Sequence, residues 1–123
     1  MFERISHLGI VVADMERALS IWRDRFVLKK CAQMETSGEG IRSVFLSVPG
    51  RSGEMAIELM EPLDKSDMSN PVARRLARKG EGFYPVSVVT NDVGKSGRSL
   101  KEGGLTVLER PGVALPVLHS RSR

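Results

Sequence analysis

A disulfide framework is excluded, because the 123 residues include a single cysteine, Cys31. That usage fits a reducing, cytoplasmic setting. Aromatic residues are scarce: one tryptophan, one tyrosine and four phenylalanines. Nucleic-acid surfaces commonly stack bases on aromatic side chains, and no reading motif makes up for the shortage, so nucleic acid is not an expected partner. No apolar run approaches the ~20 residues that span a membrane. The N-terminus mixes Glu3, Arg4, Asp14, Glu16 and Arg17 with its apolar residues, unlike a signal peptide. No sign of charge dominates, since 19 basic residues face 15 acidic ones, a net charge of +4. Apart from Arg74, Arg75, Arg78 and Lys79 and the tail Arg121–Arg123, the basic residues are spread out. They read as a solvated surface with a mild attraction for an anionic small molecule. What is present, 41% hydrophobic and 28% charged residues, describes an ordinary globular chain, long enough for one domain with a core of its own.

Local patterns order that chain into strands and helices. Residues 5–12 suit a strand, with His7, Gly9 and Val11 on one face and Leu8, Ile10 and Val12 on the other. Asp14 is a good N-cap, and Met15, Ala18, Leu19, Trp22 and Phe26 at helical spacing predict a helix over 15–26. A strand over 28–35 follows, then a hairpin of strands 41–48 and 54–61 turning at Pro49-Gly50. Asn70-Pro71 opens a short helix that Gly80 stops. The second half repeats the pattern: a strand over 84–91, a helix capped by Asp92 to about Glu102, a strand over 105–108 and a short one near 115–119.

One segment occurs twice. His7-Leu8-Gly9-Ile10-Val11-Val12-Ala13-Asp14-Met15 aligns without a gap with Pro85-Val86-Ser87-Val88-Val89-Thr90-Asn91-Asp92-Val93. Both are an apolar strand followed by an Asp that opens a helix. The first copy begins with a histidine, a metal ligand, and the second with a proline, which is none. Glu58 is a second residue with chemistry. Alternation places it between Ala56 and Met60 within an apolar strand, and a carboxylate there must be paired or bind a metal. His7 and Glu58 on neighbouring strands fit two readings: half of a divalent metal site, or a satisfied core histidine beside a salt-bridged glutamate.

The run His7-Leu8-Gly9-Ile10-Val11-Val12 with Asp14 and Ala18-Leu19, then Ile57-Glu58-Leu59-Met60-Glu61-Pro62-Leu63, then Gly80-Glu81-Gly82, resembles the vicinal oxygen chelate superfamily, the glyoxalase and bleomycin-resistance group. Within it the closest resemblance is to the methylmalonyl-CoA epimerases, and it extends over roughly residues 4–119. It implies an α+β fold of two βαβββ modules, about 4–63 and 83–119, joined by a linker helix at about 70–79, forming a curved mixed sheet around a cup. It also implies a divalent cation in the cup, held by two ligands from each module, and proton transfer next to an acyl-CoA thioester.

By position, the resemblance makes His7 the first metal ligand and Glu58 the second, with Glu58 also the catalytic residue. The third position holds Pro85, and the chain ends before the strand of the fourth. A second base would fall near Ser43. Tyr84, next to Pro85, is placed on the opposite face by alternation, as Glu61 is relative to Glu58, and His119 is read as a tail residue at the surface. A last strand that is absent would leave a sheet edge open to pairing, which predicts a homodimer. Three functions stay open: an epimerase-like isomerase with an incomplete metal site, a metal-free small-molecule binder like the antibiotic-sequestering relatives, and another lyase or dioxygenase of the superfamily.

Overall fold

The computed structural model of the protein describes residues 2–36, 39–51, 54–108 and 117–118. Among the described residues seven strands are interspersed with helical segments, an α+β arrangement. In order they are β1 (Phe2–Val11), β2 (Lys29–Thr36), β3 (Ile41–Ser47), β4 (Ala56–Pro62), β5 (Gly82–Thr90), β6 (Val107–Leu108) and β7 (Val117–Leu118). The helices are α1 (Met15–Leu19), α2 (Pro71–Lys79) and α3 (Val93–Glu102). Five strands form an open mixed sheet in the order β2-β3-β4-β1-β5, and β6 and β7 pair separately. The parts of the second half predicted near 115–119 lie outside the described residues except for β7. Among the described residues no helix is long and apolar enough to cross a membrane.

The chain divides into two compact units, Ser6–Ser87 and Met1–Ile5 with Val88–Arg123. In the first, β3 runs antiparallel to both of its neighbours, β2 and β4, and β1 lies parallel to β4. Each face of this sheet carries its own apolar cluster. Ile10 and Val12 of β1 join Met15, Ala18 and Leu19 of α1, together with Val44, Leu46 and Leu59. On the other face Val11 joins Ile41, Met60 and Val72, with Leu76 and Tyr84 packed alongside. Period-two alternation along β1 is the cause: one residue of offset sends a side chain to the other cluster. Leu59, Leu46, Val44 and Val11 have no exposed surface, and each such burial contributes about 1.5–3 kcal/mol.

The helix starts follow the sequence. Asp14 accepts a hydrogen bond from the Arg17 N–H at 3.2 Å, and Glu61 of β4 accepts one from the Met15 N–H at 2.8 Å. Two carboxylates at a helix N-terminus satisfy its free donors and oppose its dipole. Glu61 therefore faces α1, away from Glu58, as alternation predicts. Asn70 is buried and caps α2 through the Val72 and Ala73 N–H groups, while its amide donates to the Glu39 carbonyl at 2.6 Å. In the second unit Asp92 caps α3 through the Lys95 N–H at 2.9 Å. Asp14 and Asp92 adopt nearly the same extended backbone, φ −142° and −150°. The repeat seen in the sequence is thus a repeat of local geometry. Gly97 is buried on α3 and faces Val107 of β6.

The predicted helix over 15–26 is corrected in its second half. After Leu19 the chain widens into a π-helical segment, Ser20–Arg25, which ends with the Phe26 N–H bonded to the Ile21 carbonyl at 2.9 Å. The Leu28 N–H then reaches the Trp22 carbonyl at 3.2 Å, and the chain turns through Val27 at φ 59°. Periodicity read from Trp22 and Phe26 does not separate i+4 from i+5 bonding over one and a half turns. A β-branched residue at positive φ is an outlier, and the left-handed conformation costs about 1–2 kcal/mol for residues other than glycine. Val27 is 66% exposed, so its side chain returns little of that cost through packing. Val27→Gly is expected to stabilise the protein by about 1 kcal/mol after the entropy of glycine is subtracted, read as a higher midpoint in thermal denaturation. An unchanged or lower midpoint would show that the turn is not strained.

Candidate functional site

The parallel register of β1 on β4 assembles the site. His7 lies opposite Ala56 and Gly9 opposite Glu58, so the His7 and Glu58 side chains share a face one pair apart. The His7 Nε2 atom is 3.3 Å from Glu58 Oε1, with the two side chains 23% and 12% exposed. Phe45 of β3 pairs with Glu58 on its other side, and its ring meets the His7 ring edge to face at 5.3 Å and 84°. The remaining ring nitrogen, Nδ1, is 3.1 Å from the Ser6 hydroxyl. The two residues singled out in the sequence are therefore brought together, and Phe45 and Ser6 are added to them. Phe45 carries no signal by itself; only the register reveals it.

Gly9 makes room for this arrangement. A Cβ there would lie 2.7 Å from Met60 Cε and 2.8 Å from Pro85 Cδ, and against the Tyr84 carbonyl oxygen. The close approach of β5 to β1 thus needs a residue without a side chain. Pro85, at the position of the expected third ligand, comes against β1 with its ring. Tyr84 corrects the expectation from alternation. It packs against the cluster of Val11, Ile41, Met60 and Val72, on the face that His7 uses, while Phe83 is 69% exposed. The physical reason is the apolar cluster on that face, which includes Val72 of α2 and gives the side chain partial burial. Ser43 is buried on β3 opposite Met60, and its hydroxyl is no base. Cys31 is exposed, with its thiol 3.4 Å from the Phe45 carbonyl. His119 lies outside the described residues.

The fit of a cation to this pair can be tested on its geometry. Two donors each about 2.1 Å from one ion, at tetrahedral to octahedral angles, stand roughly 3.0–3.4 Å apart. The His7–Glu58 separation falls in that range, and imidazole with carboxylate is a donor set for first-row divalent metals. Among the described residues no third His, Cys, Asp or Glu joins them. A cation here would have two protein ligands and would fill its other positions with oxygens of water or ligand. A cavity of about 440 Å³ opens on the α1 face instead, walled by Val12, Arg17, Trp22, Glu81 and Phe83. His7 and Glu58 do not line it.

With this fold and pair in place, residues 6–116 match the Glyoxalase/Bleomycin resistance protein/Dioxygenase superfamily. The chain belongs to that family. Its resemblance to individual members is narrower: it is 27% identical over 109 residues to the ethylmalonyl-CoA/methylmalonyl-CoA epimerase of Cereibacter sphaeroides, covering 88% of this chain and 76% of that one. The crystal structure of methylmalonyl-CoA epimerase from Mycobacterium tuberculosis superposes with a TM-score of 0.78 at 27% identity, over 96% of this chain and 79% of that one. A variant of the Streptomyces coelicolor methylmalonyl-CoA epimerase in complex with 2-nitronate-propionyl-CoA gives 0.79 at 24% identity, over 97% and 86% of the two chains, and shows the shared fold.

The packing around Gly9 gives a direct check. Gly9→Ala is expected to cost about 2–3 kcal/mol in denaturant unfolding, as overpacking against a backbone carbonyl does. Gly103→Ala, whose Cβ meets only ordinary contacts at 3.5 Å, should leave stability unchanged or slightly raised. Equal effects at both positions would contradict the close approach of β5 to β1.

Proposed function

We propose that the protein binds a small acyl-CoA thioester and moves a proton at the carbon next to the thioester, with a divalent cation held by His7 and Glu58. The single observation that carries this reading is the 3.3 Å separation of His7 Nε2 and Glu58 Oε1 on one half-buried face. Membership of the superfamily and the likeness to methylmalonyl-CoA epimerases support the choice of substrate class. When bound, the cation supplies a fixed positive charge that opposes the negative charge developing on the substrate oxygens as the proton leaves.

The protein's own groups divide the remaining work. His7 and Glu58 hold the cation, and the Phe45 ring restricts the plane of the imidazole. Glu58 is assigned the proton, which its carboxylate accepts from the α-carbon and returns. Ser43 stands where a second base is expected and has a hydroxyl, which does not take up a proton at neutral pH. Glu58 therefore delivers a proton to the face from which it took one, and because its carboxyl exchanges that proton with water before delivery, exchange with solvent outruns inversion.

A second reading, a metal-free binder of a small molecule, is favoured by a specific observation. His7 and Glu58 already satisfy each other by direct contact, and no third ligand type stands with them among the described residues.

Metal analysis of the purified wild type and of His7→Ala, followed by α-proton exchange of methylmalonyl-CoA in deuterated water, separates the two readings. The proposal expects stoichiometric cation in the wild type, its loss in His7→Ala, and deuterium uptake faster than inversion. No cation in either protein and no exchange would overturn it and leave the binding reading.

A further inference from the structure

We propose that the cavity on the α1 face binds an organic amine, with an apolar body on its floor and an ammonium group beside the carboxylates of Asp14 and Glu81. The cavity belongs to the unit Ser6–Ser87, and neither His7 nor Glu58 lines it. The inference therefore stands apart from the cation and acyl-CoA reading above.

The cavity holds about 440 Å³, the usual size of a small-molecule site. Its floor is apolar because β1 alternates. Ile10 and Val12 point to the α1 side, Ala18 meets them there, and all three are buried. Aromatic side chains come from two elements, Trp22 from the π-helical segment and Phe83 from β5. Trp22 is held in place by the apolar cluster beneath it and by Phe26, whose ring it meets at 5.2 Å and 81°. π-Helical turns recur at functional sites. Phe83 is 69% exposed at the cavity wall, where a ligand would cover apolar surface that the fold leaves in water.

The polar groups select the charge of the ligand. Asp14 accepts the Arg17 N–H at 3.2 Å, and Glu81 accepts the Ala13 N–H at 3.4 Å. Among the described residues neither carboxylate is within ion-pair distance of a lysine or arginine. An ionised carboxylate has about four acceptor sites, so each keeps room for an ammonium donor. Aromatic side chains add attraction for an organic cation. Arg17 is the basic residue on the wall, and the two carboxylates outweigh it. An apolar floor, aromatic walls and a net negative rim together fit a hydrophobic amine better than an anion or a neutral compound of the same shape.

Trp22 is the only tryptophan of the chain, so its emission reports on this cavity. The test titrates the protein with 2-phenylethylamine, with neutral 2-phenylethanol and with anionic 3-phenylpropionate, following Trp22 emission and binding heat. The amine should saturate with a Kd on the order of 1 mM, as suits a ligand of so few atoms. The alcohol should bind more weakly, and the anion weakest. Glu81→Gln should weaken the amine roughly 2–5-fold, the scale of an exposed charge pair. Arg17→Gln, which removes the opposing charge, should tighten it by a similar factor. Thermal melts report that each variant is folded, and His7→Ala should bind the amine as the wild type does. Absence of both saturable emission change and binding heat with the amine would overturn the proposal. Equal affinity for amine and alcohol, or loss of amine binding in His7→Ala, would overturn it as well. None of these outcomes bears on whether His7 and Glu58 hold a divalent cation.

Discussion

Two neighbours of β1 depend on the missing side chain of Gly9. On the β4 side, Gly9 is the register partner of Glu58, which leaves the carboxylate free to lean along the strand toward His7. On the β5 side, Tyr84 and Pro85 approach to distances that no Cβ would tolerate. The parallel pairing of β1 and β4 fixes both at once, because a slip of one residue would send His7 to the α1 face and exchange the two apolar clusters. The chemistry of the site is in this sense a consequence of sheet register, and the side chains on either side of Gly9 are placed by it.

The pair that results has two stable partners in principle, each other or a shared cation. The separation of the donor atoms, 3.3 Å, is compatible with both. Breaking such a pair by removing one member leaves a half-buried charge without compensation, so each residue constrains the other even where no cation binds. Around the pair, the Ser6 hydroxyl stands at His7 Nδ1 and the Phe45 ring meets the imidazole edge to face. The geometry of the pair comes from three adjacent strands, β3, β4 and β1.

Much of this was legible in the residues. Asp14, Asn70 and Asp92 announce three helix starts because a cap needs a particular short polar side chain at one position. The alternation around Glu58 revealed a carboxylate that required a partner, and the face shared by His7 and Gly9 pointed to where that partner would come from. Other features were hidden for physical reasons. The π-helical segment after Leu19 depends on how Val27 and Leu28 close the turn, and apolar spacing over so few residues carries no trace of it. Tyr84 packs against a cluster whose members Val11, Ile41, Met60 and Val72 come from four separate elements, which local alternation does not reveal. Phe45 looks like an ordinary strand residue until the register of β3 on β4 brings it to the imidazole, and the contact of the Ser6 hydroxyl with its neighbour His7 depends on side-chain rotamers that the sequence does not show.

The central claim is that His7 and Glu58 form a ready chelate for one divalent ion. It is tested most directly by crystallography of the protein soaked with Co²⁺, using anomalous scattering to locate the metal. The account predicts one strong peak about 2.1 Å from both His7 Nε2 and Glu58 Oε1, with the direct contact between the two side chains replaced by the ion. A map in which that contact persists and no anomalous peak lies between them would contradict it.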